Sequence, residues 1–147
     1  MAIRAFSFFV GLFYIFLGLA GWCPVLLRIP MNPVVIRNTD SAWDVAQLFG
    51  CLPVTDASNV LHLLIGVAGF FAAARFSTAL AYSRGLAVLM LLLVFTGVMP
   101  FGADTLWGFL PLSGGVLAIH LITGPIAFYF GYVYLFDSRE TPVPGVT

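Results

Sequence analysis

Leu48-Phe-Gly-Cys-Leu-Pro53 returns 58 residues later in the chain as Leu106-Trp-Gly-Phe-Leu-Pro111. Nine residues after the proline of each copy stands a histidine, His62 in the first and His120 in the second, and the sequence contains no other histidine. The same offset aligns eight residues of the first copy, Leu48, Gly50, Leu52, Pro53, His62, Leu63, Gly66 and Phe70, with Leu106, Gly108, Leu110, Pro111, His120, Leu121, Gly124 and Phe128. Duplicated units usually pack around a pseudo-symmetry axis, so we expect any functional site where the two copies meet.

The composition is that of a membrane protein. Of the 147 residues, 61% are hydrophobic and only 8% are charged, whereas an ordinary soluble domain is about 45–50% apolar. Lipid must therefore cover part of the surface, and membrane lipids are the first expected partners. Six basic residues balance six acidic ones, so no strong positive field exists to attract nucleic acid.

Four apolar stretches are long enough to cross the hydrocarbon core of a bilayer, which is about 30 Å thick. They are Ile3–Leu27, Ser58–Ala74, Ala79–Met99 and Val116–Phe136. Lipid offers no hydrogen-bond partner to an open strand edge, so these stretches are expected to be helices. The sequence thus predicts an all-α membrane protein whose four transmembrane helices form an up-down bundle.

The domain organisation follows from pairing the helices. Residues 1–136 are predicted to form one transmembrane domain, with repeat 1 at about 3–75 and repeat 2 at about 79–136, and residues 137–147 a mobile cytoplasmic tail. Gly21-Trp-Cys-Pro24 is echoed 76 residues later by Gly97-Val-Met-Pro100, which marks the ends of the first helix in each repeat. Each repeat is a helix hairpin, and two crossings restore the starting side, so both hairpins should have the same orientation.

Arginine placement predicts the orientation in the membrane. The side that holds both termini carries Arg4, Arg75, Arg84 and Arg139, and the opposite side carries Arg28 and Arg37. The positive-inside rule therefore places the N- and C-termini in the cytoplasm.

The long outer loop carries one further structural prediction. Ser41-Ala-Trp-Asp44 has the serine and the acidic residue of a helix start, so a short interfacial helix including Ala46, Leu48 and Phe49 is expected. An ordinary loop turn is the alternative.

Several stretches resemble a family of small four-helix bacterial membrane proteins known only as a domain of unknown function. They are Asn59-Val-Leu-His62-Leu-Leu-Ile-Gly66-Val-Ala-Gly69, Ser83-Arg84-Gly85-Leu86, and Leu106-Trp-Gly-Phe-Leu-Pro111 ahead of His120. The resemblance covers residues 48 to about 132 and implies the four-helix fold without supplying an activity. Its members occur in cyanobacteria and other bacteria, which implies a bacterial inner membrane or a thylakoid.

The family pattern also includes a polar residue ahead of each histidine. It places Asn or Asp three residues before the histidine; Asn59 matches this pattern, and Leu117 departs from it. A function that requires both polar neighbours is therefore in doubt for this chain.

The two histidines are the candidate binding residues, and three interpretations of them stay open. Each imidazole could form a hydrogen bond to a neighbouring helix and serve packing alone. Each could instead ligate the magnesium of a chlorophyll, or the pair could be axial ligands of a haem b. Gly66 and Gly124 lie four residues further on, on the same helix faces as His62 and His120, and would leave space for the edge of a macrocycle.

Cys23 and Cys51 are both predicted on the outer side of the membrane. An oxidising compartment would allow a disulfide between them, which would close a loop of about 28 residues and stabilise by about 3 kcal/mol. Two free thiols packed as small apolar groups are the alternative.

The remaining residues argue against an enzyme or an ion-coupled carrier. The four spans contain no carboxylate, and ionisable groups usually mark transport pathways. Ser58 and His62 share a helix face, but a hydrolase would need a third, orienting partner. We therefore predict a non-enzymatic accessory or structural subunit of a larger membrane complex; the alternative is a haem- or chlorophyll-binding protein with His62 and His120 as axial ligands.

Overall fold

The computed structural model describes residues 1–28, 46–99, 109–112 and 114–134, and these are mostly helical. The helices are α1 (Ala2–Ala20), α2 (Asp56–Ala72), α3 (Phe76–Val98) and α4 (Gly114–Phe128), and α4 continues as a π-helical turn, Tyr129–Val133. A short 3-10 turn, Pro24–Leu26, precedes three two-residue strands, β1 (Leu27–Arg28), β2 (Gln47–Leu48) and β3 (Leu52–Pro53). The predicted all-α class is confirmed. The predicted tail, residues 137–147, lies outside the described part of the chain.

Three of the helices are long and apolar enough to cross a membrane. They are α1 with 19 residues, α3 with 23, and the 20-residue helix that runs from Gly114 through the π turn to Val133. Helix α2 is also apolar but shorter, at 17 residues. At a rise of about 1.5 Å per residue, α2 is about 25 Å long, slightly less than the hydrocarbon core.

Helix α1 ends seven residues before the predicted boundary at Leu27. Its last residue is Ala20, and a 3-10 turn begins at Pro24, which has no backbone N–H to continue the helix. Gly21 lies against Asn59 so closely that a Cβ at this position would collide with the asparagine side chain. The chain therefore leaves the helix where it meets α2, although the sequence remains apolar.

A small antiparallel sheet replaces the helix that was predicted for part of the outer loop. Strand β2 pairs with both β1 and β3, and places Leu48 opposite Leu27 and Leu52. Leu48 is 1% exposed, so its side chain lies in the protein core and not on the bilayer surface. The interfacial-helix prediction is wrong for Leu48 and for Phe49, which has a φ of 55° in the turn after β2. The other part of that prediction, residues 41–45, lies outside the described residues.

Helix α2 begins with a reciprocal cap. The Thr55 hydroxyl oxygen accepts a hydrogen bond from the Ser58 backbone N–H at 3.1 Å, and the Ser58 hydroxyl oxygen accepts one from the Thr55 N–H at 2.8 Å. Two backbone donors that the helix cannot satisfy thereby gain partners. The cap fixes the start of the helix that carries His62.

Helices α1 and α2 touch through their backbones. A Cβ placed on Gly66 would come within 2.5 Å of the Ile15 backbone nitrogen and 2.7 Å of the Gly11 carbonyl oxygen. A Cβ on Gly11 would in turn lie 2.5 Å from the Phe70 nitrogen. Small residues allow this close approach in membrane helices, where van der Waals packing drives association.

Helix α3 joins the two helix pairs. It packs along α4, and it also contacts both α1 and α2. The Tyr82 hydroxyl donates to the Ile65 carbonyl oxygen of α2 at 3.2 Å, and Arg84 Nε donates to the Gly131 carbonyl oxygen at 2.9 Å. The helices thus form one packed body with a shared core.

Many residues that the two sequence offsets align are buried in both helices, in α1 and α3 at one offset and in α2 and α4 at the other. In α1 the residues Ile3, Ser7, Gly11, Tyr14 and Leu17 are buried, and in α3 so are the residues 76 positions later, Ala79, Ser83, Ala87, Met90 and Leu93. At the 58-residue offset, Ser58, His62, Ile65 and Gly69 of α2 correspond to Val116, His120, Thr123 and Ala127 of α4, and all eight are buried. Equivalent positions in the two halves therefore face the interior.

Replacing Gly66 by alanine should destabilise the protein, because the new methyl group must push α1 away from α2. Overpacking of this kind costs about 1–3 kcal/mol. Gly85→Ala is the matched control, since a Cβ at Gly85 meets no atom within 4 Å. Thermal unfolding in detergent should show a lower midpoint for Gly66→Ala only; equal shifts in both variants would contradict the backbone contact.

Candidate functional site

The two histidines lie next to each other in the interior of the protein. His62 projects from α2 and His120 from α4, and their ring centroids are 6.5 Å apart with an angle of 63° between the ring planes. The side chains are 5% and 2% exposed. The structure therefore brings together the two residues that the repeat singled out.

Both imidazoles carry an atom without a hydrogen-bond partner. His62 Nδ1 and His120 Nδ1 are buried and bond to no other described residue. A buried polar atom without a partner costs about 1–3 kcal/mol, and such atoms in a folded protein commonly mark a water, an ion or a functional group. The pair is for this reason the leading candidate site.

Tyr14 of α1 and Met90 of α3 complete the cluster. The Tyr14 ring centroid is 5.4 Å from that of His62, and the Tyr14 hydroxyl lies 3.5 Å from Met90 Sδ. The same hydroxyl donates to Thr123 Oγ1 at 3.3 Å, three residues beyond His120 in α4. All four helices thus contribute to one buried group of side chains.

Tyr14, Met90 and Thr123 were not among the candidate site residues predicted from the sequence. Two signals were available. Tyr14 and Thr123 place hydroxyl groups inside apolar spans, where a polar side chain needs a partner. Tyr14 and Met90 are also separated by 76 residues, the offset between the ends of α1 and α3.

The glycine after each histidine has a different role in each half. Gly66 was expected to leave space for a macrocycle, and this is wrong: the backbone of α1 at Gly11 and Ile15 fills that space. Gly124 does border a cavity, although a Cβ there would lie 3.2 Å from Met90 Cβ. The two equivalent glycines are therefore not a matched pair.

A cavity of about 450 Å³ lies beside His120 and Gly124. Its other walls are side chains of α3 and α4, among them Ala87, Met90 and Phe128. The lining is almost entirely apolar, with the imidazole as its polar group. Ligand pockets commonly combine an apolar wall with a few polar groups, so this cavity is a plausible binding space on the α4 side of the pair.

A haem clamped between both imidazoles fits this packing poorly. Its macrocycle would have to pass between His62 and His120, and on one side Tyr14 fills that level by packing on His62 and bonding to Thr123. A ligand bound by His120 alone could instead occupy the cavity beside Gly124.

Asn59, the residue of the family pattern, lies apart from this cluster. Its side chain is 1% exposed and packs on Gly21, and its Oδ1 atom has no partner among the described residues. It stands three residues before His62, near the end of α1. We assign it to the contact between α1 and α2.

Ser58 serves the helix cap and does not pair with His62. Its hydroxyl donates to the Thr55 carbonyl oxygen at 2.8 Å while accepting from the Thr55 N–H. A hydroxyl used in this way is not held by an imidazole base, as a nucleophile would be.

The two cysteines are free thiols in the structure. Cys23 is partly buried and Cys51 is exposed. Cys51 Sγ lies 3.9 Å from the Leu48 carbonyl oxygen, to which it can donate a weak hydrogen bond. The disulfide between Cys23 and Cys51 therefore stays a prediction.

Comparison with known proteins gives a family and no activity. No curated protein and no solved structure matches the chain. The sequence model of one family matches residues 4–133, which is most of the chain, and this confirms the resemblance drawn from the histidine motifs. The chain belongs to the family described as "Domain of unknown function (DUF4383)".

Proposed function

We propose that this is an integral membrane protein of the bacterial inner membrane or thylakoid, with a four-helix transmembrane bundle, that serves as a non-enzymatic accessory or structural subunit of a larger complex. The observation that carries this proposal is the use of the interior polar side chains. Tyr14 and Tyr82 each donate a hydrogen bond to another helix. They hold helices together where lipid supplies no partner.

The proposal treats α2 as the fourth span. Its glycine contacts with α1 run from Gly69, beside the Ser7 carbonyl oxygen, to Asn59, beside Gly18 and Gly21. Helix α2 therefore lies alongside nearly the whole of α1. A helix packed in this way crosses the bilayer together with its partner, and a slightly short span is accommodated by local thinning of the lipid.

Two contacts between equivalent residues support the tandem repeat. His62 and His120 are neighbours, and Tyr14 and Met90, equivalent at the 76-residue offset, lie 3.5 Å apart through the hydroxyl and the sulfur. Equivalent residues meet in this way when a pseudo-two-fold axis passes between them. The arrangement supports two parallel helix hairpins related by an axis along the membrane normal.

Arginine contacts at one end of the bundle support the cytoplasmic placement of the termini. Arg4 Nε donates to the Ala73 carbonyl oxygen at 2.8 Å and Arg84 Nε to that of Gly131. Ala73 and Gly131 are equivalent at the 58-residue offset. Each hairpin thus has an arginine at the end that the positive-inside rule assigns to the cytoplasm.

The outer face of α1 supports an accessory role. Phe9, Phe13 and Phe16 recur at helical spacing on that face and are 67%, 44% and 53% exposed. Their rings form an aromatic stripe that faces the membrane. Aromatic side chains supply large contact areas at protein interfaces, so we assign this stripe to the contact with the larger complex.

A second candidate function is supported by the cavity beside His120. Haem b or chlorophyll could place its metal on the His120 imidazole and its macrocycle edge in the cavity that Gly124 borders. His62 has no equivalent space, because α1 fills the position beside Gly66. The geometry therefore favours single-histidine pigment binding over a bis-histidine haem.

The hydrogen bond from Tyr14 to Thr123 should stabilise the contact between the two hairpins. In a double-mutant cycle of Tyr14→Phe and Thr123→Val, we expect a coupling free energy of about 0.6 kcal/mol, and at most about 1.7 kcal/mol, as for other buried bonds in membrane proteins. Tyr129→Phe is the control, since this ring is 41% exposed and its hydroxyl bonds to no described residue. A coupling free energy of zero, measured by reversible unfolding in detergent, would show that this hydrogen bond does not stabilise the contact between the hairpins.

Thiol labelling tests both the orientation and the fourth span, because Cys51 and Ser77 flank α2. In a Cys23→Ser background, a membrane-impermeant maleimide should label the exposed Cys51 in intact cells. In Cys23→Ser/Cys51→Ser/Ser77→Cys, labelling should require permeabilised cells. The reverse pattern would overturn the orientation, and labelling of both sites from one side would show that α2 does not cross.

Purification from native membranes under mild detergent tests the proposed function. We expect a second membrane protein to remain at a fixed ratio to this chain through affinity and size-exclusion steps. Phe9→Leu/Phe13→Leu/Phe16→Leu should lower that ratio, because it removes the aromatic stripe while keeping the surface apolar. The control is Leu91→Ala, at an exposed position on α3. A chain recovered alone would contradict the accessory role.

The absorption spectrum of the same sample tests the second candidate. Single-histidine pigment binding predicts a haem or chlorophyll band that is lost in His120→Ala and kept in His62→Ala. Loss in both variants would favour the bis-histidine arrangement, and a colourless wild-type protein would exclude pigment binding.

A further inference from the structure

The separation of the two imidazoles suits a shared metal ion. An imidazole nitrogen binds a first-row metal ion at about 2 Å, and the ring centre lies about 1 Å behind that nitrogen. Two rings on opposite sides of one ion therefore have centres about 6 Å apart, and a third ligand that bends this arrangement brings the centres to about 5.5 Å, so binding draws the rings together by about 1 Å. The centroids of His62 and His120 are 6.5 Å apart. Both side chains are more than nine-tenths buried and have an unpartnered Nδ1 atom. A metal ion would give each imidazole the partner it lacks.

A sulfur ligand lies in the same cluster. Met90 is fully buried, its Sδ atom is 3.5 Å from the Tyr14 hydroxyl, and the Tyr14 ring packs on His62. Met90 and His120 also border the same cavity. Met90 therefore belongs to the same buried group of side chains as the two imidazoles.

The neutral ligands determine which ion is favoured. No group of three or more His, Cys, Asp or Glu side chains that could hold a metal occurs in the described part of the chain. The cost of placing an ion in a low-dielectric interior grows with the square of its charge, so without anionic ligands a monovalent ion is preferred. Thioether and imidazole ligands select Cu(I) among biological metals, and Cu(I) is stable with two or three ligands.

We propose that His62 and His120 bind one Cu(I) ion at the pseudo-symmetry axis, with the Met90 thioether as third ligand. The ion lies where both pairs of equivalent residues, the two histidines and Tyr14 with Met90, come together. The site goes beyond the accessory role and does not depend on it, since a subunit of a complex and a protein that functions alone could both hold the ion.

The binding test uses the full chain in detergent with Cys23→Ser/Cys51→Ser, because the two free thiols would otherwise bind Cu(I) themselves. Cu(I) is supplied with ascorbate and titrated against bicinchoninate, a coloured Cu(I) chelator. We expect one Cu(I) per chain. X-ray absorption should show two imidazole nitrogens at about 2 Å and one sulfur at about 2.3 Å.

Variants identify the ligands. In His62→Leu/His120→Leu the Cu(I) affinity should fall more than about 100-fold, because loss of an outer-shell partner alone costs about 10–100-fold in metal sites. Met90→Leu should keep the two nitrogens and lose the sulfur signal. Met99→Leu, at the end of α3 and outside the cluster, is the matched control and should change neither the Cu(I) affinity nor the sulfur signal.

Three results would overturn the proposal: no Cu(I) bound above background, an absorption spectrum without imidazole ligands, or Zn(II) bound more tightly than Cu(I). If the histidine variants do not fold, as shown by an aggregated size-exclusion profile, the stoichiometry and the absorption spectrum of the cysteine-free protein decide the question. Failure of copper binding with a partner still co-purified would leave the accessory role intact.

Discussion

The backbone contact between α1 and α2 at Gly11 and Gly66 is the constraint on which the interior depends. Because neither residue has a side chain, the two helices approach until their main chains touch. This approach brings Tyr14, one turn beyond Gly11, against the ring of His62. In lipid no water competes for the polar atoms of these side chains, so the Tyr14 hydroxyl forms its hydrogen bond within the protein, to Thr123. The backbone contact between α1 and α2 therefore sets the geometry of the buried cluster.

Tyr14 connects the first helix hairpin, α1 and α2, to the second, α3 and α4. Its ring belongs to the first hairpin, while its hydroxyl donates to Thr123 and contacts Met90 in the second. A phenylalanine would fill almost the same volume but would leave Thr123 without this donor. The hydroxyl thus specifies which face of the second hairpin meets the first, a choice that apolar packing in lipid makes only weakly.

Hydropathy predicted most of the helical boundaries. Helix α3 begins three residues before the predicted Ala79. Helix α2 begins two residues before the predicted Ser58, directly after the Thr55 cap. The end of α1 was misplaced by seven residues. It is set by Pro24 together with the contact of Gly21 on Asn59, and that contact is visible only after α2 has packed.

The small sheet could not be predicted for a related reason. Each strand has two residues, too few for an alternating pattern, and β2 exists because Leu48 pairs with Leu27, 21 positions earlier in the chain. The histidine pair was predictable because the repeat made His62 and His120 equivalent. The roles of Tyr14, Thr123 and Met90 depend on contacts between hairpins, at which the sequence hints only through two hydroxyl groups inside apolar spans and one 76-residue separation.

Contacts with the facing helix also explain why Gly66 and Gly124, which the 58-residue offset aligns, have different surroundings. Gly66 faces Gly11, and the residue equivalent to Gly11 at the 76-residue offset is Ala87, which borders the cavity beside Gly124. The bare backbone of Gly11 lets α1 and α2 touch, whereas a Cβ on Gly124 would meet Met90 of α3. The contact that closes the first helix pair therefore has no counterpart in the second. The two histidine and glycine motifs of the sequence therefore differ in their surroundings, since Gly66 packs on the backbone of α1 and Gly124 borders a cavity.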